Sequence, residues 1–284
     1  MKKTLKIAAL AALAALTFAA CGDGYQTTES GLKYKFISQN QEGQQVSNGD
    51  LIKGKYVVIF NDSILDSVKG DPVILFMTDT TMRGNYFERL LTDGFMMLHE
   101  GDEVEFVFNA DSLQTIGMRM PATFKAGEKQ TLKYKIKVSE LMNETIEQEK
   151  IKNYLTENKL DVQPTEDGIY ILSVEHGNGP KVEDGKTIKV NYTGRFLNGK
   201  IFDSSDSTQA PQAHEPIEYV VGQQPMIPGW EKAMAQMEQG GKARVLIPSN
   251  MAYGKKGSMM MEPYSTLLFD FEVLSVKETK AEKK

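Results

Sequence analysis

Apolar and polar residues alternate along several short segments of this chain, and that pattern predicts strands. Residues 187–192 alternate strictly, as expected of a strand with one face buried and the other in water. Residues 243–247 and 267–273 follow the same period. Over residues 229–237 the apolar spacing becomes helical, beginning at Trp230. Several strands and one short helix predict an α+β domain, with an antiparallel sheet wrapped around the helix.

The same order of motifs occurs twice, which predicts two domains, at residues 31–138 and 164–278. The matching segments are 31–34 with 168–171, 49–56 with 185–192, 65–67 with 202–204, 87–90 with 230–233, 100–108 with 239–247 and 131–134 with 266–269. Identity between the copies is low, but the motifs keep the same order. We therefore interpret the repeat as a divergent duplication, and chance similarity between strand-rich segments is the alternative.

Residues 139–163 separate the two copies, and their pattern predicts a linker helix. Leu141, Ile146, Ile151 and Leu155 fall roughly on one face, between charged and amide side chains, and residues 139–160 contain no Gly or Pro. We expect this helix to cover the edge of a domain. A dimerisation helix is the alternative, but the apolar stripe is short and irregular.

Residues 1–20 have the features of a signal peptide. Three lysines at positions 2, 3 and 6 form a positive region, and residues 7–20 carry no charge. This uncharged run is too short to span a bilayer comfortably. We therefore expect export, with a buried core helix as the alternative.

Cys21 is the only cysteine of the chain, and it follows Phe18-Ala19-Ala20. Small residues before a cysteine at this place resemble a bacterial lipobox, although Phe18 stands where leucine is usual. We expect lipidation of Cys21, a tether over residues 21–30, and anchoring to the bacterial cell envelope, at its periplasmic face or outer membrane. Ordinary cleavage that leaves a free thiol is the alternative.

Charge and composition exclude several classes of function. The formal net charge is −5, and it falls to about −8 without the predicted signal peptide, so nucleic acid is not expected as a partner. With one cysteine and three scattered histidines, the chain has no predicted disulfide, metal site or cofactor. The histidines are interpreted as solvated surface residues; they are His99, His176 and His214.

The second copy carries five motifs at a characteristic spacing. They are Val190-Asn191-Tyr192-Thr193-Gly194, Gly199-Lys200-Ile201-Phe202-Asp203-Ser204, Ile227-Pro228-Gly229-Trp230-Glu231, Met251-Ala252-Tyr253-Gly254 and Ser265-Thr266-Leu267-Leu268-Phe269-Asp270. In this order they resemble the FKBP-type peptidyl-prolyl cis-trans isomerases, and the resemblance covers residues 165–277. It implies that the second copy rotates peptide bonds that precede proline. It also implies an FKBP-like α+β fold for this copy, which the repeated motifs extend to the first copy.

That reaction requires a particular kind of pocket. Amide resonance gives the Xaa-Pro bond a rotation barrier of roughly 18–20 kcal/mol, and the twisted amide is less polar than the planar one. A water-poor aromatic cradle that binds the twisted form more tightly would therefore catalyse the rotation without covalent chemistry.

The resemblance implies the residues of this pocket. Trp230 would form the floor, and Tyr192, Phe202 and Phe269 the walls. The Ile227 amide would hold a substrate carbonyl, and Asp203 would act electrostatically. The full expected set is catalytic Tyr192, Phe202, Asp203, Trp230, Tyr253 and Phe269, with substrate-binding Ile217, Tyr219, Met226, Ile227, Met260 and Met261. Taken singly, each could be a core or turn residue.

Departures from the family pattern bear on specificity. Ile217 stands where an aromatic residue is common, and the loop 206–216 is longer and more polar than in the smallest members. Met259-Met260-Met261 replaces a more rigid loop tip. Because methionine adapts to varied apolar partners, we hypothesise that Met260 and Met261 broaden acceptance of the residue before proline.

The first copy has lost most of these features. Tyr56 and Asp66 remain, but Leu65 and Phe87 replace the phenylalanine and tryptophan, and Val57-Val58 replaces the Thr-Gly pair. No Ala-Tyr-Gly segment follows residues 104–108. We expect an inactive domain that could still bind unfolded chains or a fixed partner.

Three functions remain open at this stage. The expected one is an isomerase that assists folding of exported proteins. It would act on proline-containing unfolded polypeptides, as a monomer anchored to the cell envelope. A binding protein that captures clients without significant catalysis is the second, and a scaffolding lipoprotein the third. Residues 279–284 are expected to form a charged tail.

Overall fold

The computed structural model describes residues 24–78, 86–210 and 212–279. The predicted signal peptide, Cys21 and most of the charged tail lie outside these residues. The chain divides into two compact units, Met1–Leu141 and Met142–Lys284. Each has an antiparallel sheet and few helices, so the expected sheet-rich α+β class is confirmed.

The first unit contains a seven-stranded sheet. Its strands are β1 Gln26–Thr27, β2 Lys33–Ser38, β3 Leu51–Phe60, β4 Ser63–Ser67, β5 Val73–Met77, β6 Glu103–Asn109 and β7 Thr131–Met142, and its helices are α1 Tyr86–Met96 and α2 Ala110–Thr115. The strand order is β1-β2-β6-β7-β3-β4, and β5 also pairs with β3.

The second unit contains a six-stranded sheet. Its elements are α3 Glu144–Glu157, β8 Tyr170–Glu175, β9 Lys186–Phe196, β10 Ile201–Ser204, β11 Ile217–Val220, α4 Pro228–Met234, β12 Lys242–Ile247 and β13 Leu267–Glu278, with 3₁₀ turns at Ser249–Met251 and Gly254–Lys256. The strand order is β10-β9-β13-β12-β8, and β11 also pairs with β9.

The two sheets have the same connectivity. Strands β2, β6, β7 and β3 follow one another in the first sheet as β8, β12, β13 and β9 do in the second. The register agrees as well, because Asp66 pairs with Val58 and Asp203 pairs with Gly194. In each unit the partner lies two residues after a tyrosine, Tyr56 or Tyr192. The repeat seen in the sequence therefore has a structural counterpart.

Helix α4 is shorter than the predicted helix over residues 229–237. Pro228 occupies its first turn, where a missing N–H costs nothing. After Met234 the bonding tightens, because the amides of Gln236 and Met237 donate to carbonyls three residues back. Met237 is nevertheless buried in the core, so the predicted apolar face is retained through this turn.

Helix α3 lies within the segment for which a linker helix is predicted, but it starts later. Strand β7 continues to Met142, and Asn143 then caps the helix by accepting a hydrogen bond from the Ile146 amide at 2.7 Å. Ile151 packs on Leu246 and Leu268, on the outer face of the second sheet. The apolar stripe of α3 is therefore used within the second unit.

Helix α2 is a departure from the sequence analysis, which predicts no helix between β6 and β7. Its N-cap is Asn109, whose side chain accepts from the Ser112 amide at 3.1 Å. This helix occupies the position where the second unit has the segment containing Tyr253. None of the helices in the described part of the chain is long and apolar enough to cross a membrane.

Candidate active site

Five aromatic side chains meet between α4 and one face of the second sheet. The Trp230 ring lies 4.9 Å from Tyr192, 5.5 Å from Phe269 and 4.6 Å from Phe271, each time edge to face. Phe202 contacts Phe269 in the same manner at 5.7 Å. Such contacts stabilise aromatic pairs beyond the area they bury. The structure thus brings together the predicted floor and walls.

Trp230 is fixed by a buried hydrogen bond as well as by packing. Its Nε1–H donates to the Tyr219 hydroxyl at 2.8 Å, and both side chains are almost fully buried. Burial raises the pKa of Tyr219, and the nearby Glu231 carboxylate adds to the rise. Tyr219, predicted to bind substrate, is therefore positioned to orient the pocket floor.

A glycine allows Phe202 to enter the cluster. A Cβ on Gly194 would lie 2.6 Å from the Phe202 ring and 2.9 Å from Phe269, closer than real side chains approach. Val58 takes the equivalent place in the first unit, where Leu65, the counterpart of Phe202, stays 47% exposed. The first unit therefore lacks both the glycine and the aromatic wall that the glycine admits in the second unit.

A polar edge borders the aromatic cluster. The Tyr192 hydroxyl donates to Asp203 Oδ2 at 2.5 Å, and Asp203 Oδ1 lies 3.0 Å from His214 Nε2. Burial raises the pKa of Tyr192, as do its hydrogen bond to Asp203 and the charge of that carboxylate. Tyr192 therefore remains a neutral hydrogen-bond donor throughout the physiological range.

His214 is the residue of this edge that the sequence analysis misses. It is interpreted there as a solvated surface histidine, and its side chain is indeed 46% exposed. However, its Nε2 lies 3.0 Å from the Tyr192 hydroxyl as well as from Asp203, and its ring is 5.5 Å from the Tyr192 ring. The loop 206–216, noted only for its length and polarity, brings it there. In the sequence His214 is followed by Glu215 and Pro216, and no motif or periodic spacing marks it as a site residue.

The remaining predicted residues lie around the cluster with different exposure. Ile217, Met226 and Ile227 are partly buried against the core, and the Ile227 amide has no acceptor among the described residues. Tyr253 is 40% exposed and acts electrostatically on Tyr192. These positions agree with a substrate site that opens toward the solvent.

The two methionines assigned to substrate binding behave differently. Met261 is only 6% exposed and belongs to the core cluster, whereas Met260 is 75% exposed. Ser258 helps to fix the turn, since its hydroxyl accepts from the Met261 amide at 3.2 Å. That these methionines broaden acceptance of the residue before proline stays a prediction. Met260 is the one of the two that is exposed enough to change conformation for different substrates.

A polar cavity of about 290 Å³ lies elsewhere in this unit, along the outer face of the sheet. Its principal charges pair with one another: Arg244 Nε donates to Asp270 Oδ1 at 2.6 Å, and Arg195 Nε lies 3.7 Å from Asp270 Oδ2. We assign it no role. Among the described residues no group of three His, Cys, Asp or Glu side chains could hold a metal ion.

The first unit retains part of the same arrangement. The Tyr56 hydroxyl donates to Asp66 Oδ2 at 2.7 Å, as Tyr192 does to Asp203. Phe87, in place of tryptophan, packs on Phe108 at 4.8 Å. A cavity of about 160 Å³ is left near this site, lined by Tyr56, Ile74, Leu75, Phe76, Leu91, Phe95, Tyr134 and Ile136.

Comparison with known proteins identifies the class of this chain. A family profile described as FKBP-type peptidyl-prolyl cis-trans isomerase matches residues 179–274. The FK506-binding protein of Neisseria meningitidis is 37% identical over 112 residues, which cover 39% of this chain and 98% of that protein. The chain therefore belongs to the family of FKBP-type peptidyl-prolyl cis-trans isomerases, and the expected resemblance is confirmed.

Two longer relatives share only part of their length with it. FkpA of Escherichia coli, an FKBP-type peptidyl-prolyl cis-trans isomerase, is 37% identical over 116 residues, or 41% of this chain and 40% of FkpA. FK506-binding protein 4 of Emericella nidulans is 36% identical over 110 residues, or 39% of this chain and 22% of that protein. The chain thus spans less than half the length of these relatives.

A second family profile concerns export. It is described as a secretion system C-terminal sorting domain and matches residues 122–191. This segment begins before β7 and ends in β9, so it does not coincide with either compact unit. The match indicates an exported protein, as the predicted signal peptide does.

Proposed function

We propose that this chain is a peptidyl-prolyl cis-trans isomerase that assists the folding of exported proteins, with its active site in the second unit. The observation that carries the proposal is the closed aromatic cluster around Trp230 with the Tyr192–Asp203 pair at its edge. This combination supplies an apolar floor for a proline ring beside a fixed polar group. No cofactor takes part.

Catalysis would follow from unequal binding of the planar and the twisted amide. Moving a planar amide from water into this apolar cluster costs more hydration energy than moving the less polar twisted amide. The cluster therefore binds the twisted form more tightly, which lowers the rotation barrier. The free Ile227 amide is placed to hold a substrate carbonyl during rotation, and the Tyr253 hydroxyl to hold the peptide backbone. Phe202 and Phe269 would enclose the proline ring.

Asp203 would act through its charge and its hold on Tyr192. Its side chain is 46% exposed, which leaves it accessible at the pocket edge but screens its field in part. Since no covalent step is needed, an ionised carboxylate serves as a fixed electrostatic group. It need not accept a proton.

We further propose that the first unit is an inactive FKBP-like domain that arose by duplication. Support comes from the shared strand connectivity, the shared register and the retained Tyr56–Asp66 bond. We propose that lipidation of Cys21 attaches the chain, as a monomer, to the cell envelope. The partners would be proline-containing unfolded polypeptides and the membrane, without nucleic acid.

The activity is tested by cis-trans relaxation of an Xaa-Phe-Pro peptide in a protease-free assay with residues 22–284. We expect catalysis, and Asp203→Ala should lower kcat/KM by about tenfold, as when a transition state loses ~1.4 kcal/mol. The matched control is Asp66→Ala, which removes the equivalent carboxylate of the first unit and should leave the rate unchanged. A folded protein without catalysis would refute the proposal, and equal loss in both variants would refute the assignment of the site.

A second candidate function is client binding by the first unit. The observation that favours it is the cavity beside Tyr56, together with exposed apolar side chains on β4 and β5. Those side chains are Ile64, Leu65, Val73, Ile74 and Met77. Exposed apolar residues grouped near a cavity are typical of sites that bind peptides.

Ile74→Glu tests this candidate, because Ile74 both lines the cavity and is exposed. We expect a higher KM for a protein whose refolding is limited by proline isomerisation, and an unchanged rate on a short peptide. Ile37→Glu, at an exposed apolar residue of β2 outside the cavity, is the matched control. Equal effects of the two variants on the protein substrate would argue against binding in the cavity.

A further inference from the structure

The ring of His214 is held on two sides in the loop between β10 and β11. Its backbone amide donates to the Ser204 carbonyl at 3.1 Å, which fixes the loop against the end of β10. Its Nδ1 lies 2.7 Å from the Glu215 carbonyl oxygen, and its Nε2 points at Asp203 and Tyr192. Both ring nitrogens of this half-exposed side chain therefore have polar partners.

Counting donors and acceptors shows which form of the ring fits this position. A carbonyl oxygen only accepts, so Nδ1 must carry a hydrogen. Nε2 faces Asp203 Oδ1 at 3.0 Å and the Tyr192 oxygen at 3.0 Å. The hydrogen of that hydroxyl is used in the 2.5 Å bond to Asp203 Oδ2, and a carboxylate has none to give.

Both ring nitrogens thus face acceptors. A neutral imidazole with its hydrogen on Nδ1 would direct the Nε2 lone pair at a carboxylate oxygen. The doubly protonated imidazolium instead donates to Glu215 and to Asp203, and it places a positive charge beside a negative one. The arrangement is complete only with the charged ring.

We infer that His214 is a positioning residue whose imidazolium form clamps Asp203 and Tyr192 at the pocket edge, so that isomerase activity is highest while the ring is charged and falls as rising pH neutralises it. The inference rests on the proposed function of the second unit. It adds to that function a dependence on the pH outside the cell, to which an exported protein is subject.

The groups around His214 fix the direction of this dependence. Three groups face it: Asp203 on β10, Tyr192 on β9 and the backbone carbonyl of Glu215. The bond to Glu215 raises the pKa of His214 above the usual 6.5, burial opposes the rise, and the bond and charge of Asp203 add to it. The clamp is therefore complete at pH below 6.5 and is lost as pH passes the raised value.

The charge state is tested first, by NMR titration of the His214 ring in the full mature chain. We expect a pKa above 6.5 that falls in the Asp203→Asn variant, which keeps the shape of the side chain but removes its charge. A pKa at or below 6.5, unchanged in Asp203→Asn, would overturn the clamp. This measurement does not depend on any catalytic activity.

The catalytic consequence is tested by the pH profile of kcat/KM on a short Xaa-Pro peptide. The wild type should lose about fivefold across the measured His214 pKa, the size expected of one half-exposed ion pair. His214→Arg, which stays charged, should remove this pH dependence, and His214→Gln should be low at every pH. His176→Gln is the matched control, because His176 pairs with Glu238 at 3.1 Å outside the pocket, and it should follow the wild type.

The two possible failures can be separated. An active enzyme with a flat profile, or with His214→Gln equal to wild type, would overturn the inference and leave the proposed function standing. A folded protein that is inactive at every pH would overturn the proposed function, and with it the catalytic part of the inference.

Discussion

Replacing Trp230 by alanine is expected to destabilise the second unit by about 3–5 kcal/mol, the usual range for truncating a buried aromatic residue. The side chain is 3% exposed and contacts three aromatic rings, so its removal leaves a cavity that these rigid neighbours cannot fill. The Tyr219 hydroxyl also loses its buried donor, which adds to the cost.

Urea unfolding followed by circular dichroism measures this loss. Fluorescence serves only for the wild type, because Trp230 is the sole tryptophan of the chain. Trp230→Phe should cost much less, since it retains most of the ring contacts. A loss below about 1 kcal/mol for Trp230→Ala would mean that the cluster collapses readily around the gap, contrary to the close packing expected of a core.

The hydrogen bond can be separated from the packing by a double-mutant cycle. Tyr219→Phe alone strands the indole N–H, and Trp230→Phe alone strands the hydroxyl. The double variant removes both partners. Its cost should therefore be smaller than the sum of the two single costs, and strict additivity would show that the 2.8 Å bond contributes nothing.

The aromatic part of the site could be predicted from the sequence because local rules determine it. Strand alternation assigns Tyr192 and Phe269 to the buried face of the sheet, and the helical period does the same for Trp230. Position 194 has no room for a side chain beside Phe202, and the glycine that this requires is part of the motif at residues 190–194. For these residues the local pattern and the tertiary packing agree, so the side chains named from the family resemblance lie together in one cluster.

The polar partners could not be predicted in this way. His214 lies in an irregular loop, where neither period applies, and its position depends on contacts with two strands. Met261 follows the loop tip in sequence, yet it is buried because the chain turns back at Ser258. Helix α2 replaces a segment of the other repeat, so the comparison of repeats could not indicate it. In each case the deciding contacts are distant in sequence.

Glu147 is the clearest example, and it leads to the other large expected effect. It is 4% exposed, and no motif marks it among the charged residues of α3. Its carboxylate accepts from the Ser249 amide at 2.7 Å, the Ser249 hydroxyl at 2.6 Å and the Thr266 hydroxyl at 2.6 Å. Those partners are 102 and 119 residues away along the chain.

Glu147→Ala is expected to destabilise the second unit by about 3 kcal/mol or more, because it leaves buried donors without their charged acceptor. Urea unfolding of the full mature chain measures the change. The matched control is Glu149→Ala, on the exposed side of the same helix, which should alter stability by less than about 0.5 kcal/mol. Equal stability of the two variants would contradict the role assigned to Glu147.

The same contacts predict where the second unit begins as a folding unit. Through Glu147, helix α3 holds the Ser249–Met251 turn, which directly precedes Tyr253, and Ile151 covers Leu246 and Leu268. A fragment that begins at residue 142 keeps these contacts, whereas one that begins at residue 164 loses them all. We therefore expect the longer fragment to unfold cooperatively and the shorter one to be less stable by at least the cost of Glu147→Ala. Equal stability of the two fragments would show that α3 does not stabilise the second unit and acts only as the linker that its sequence predicts.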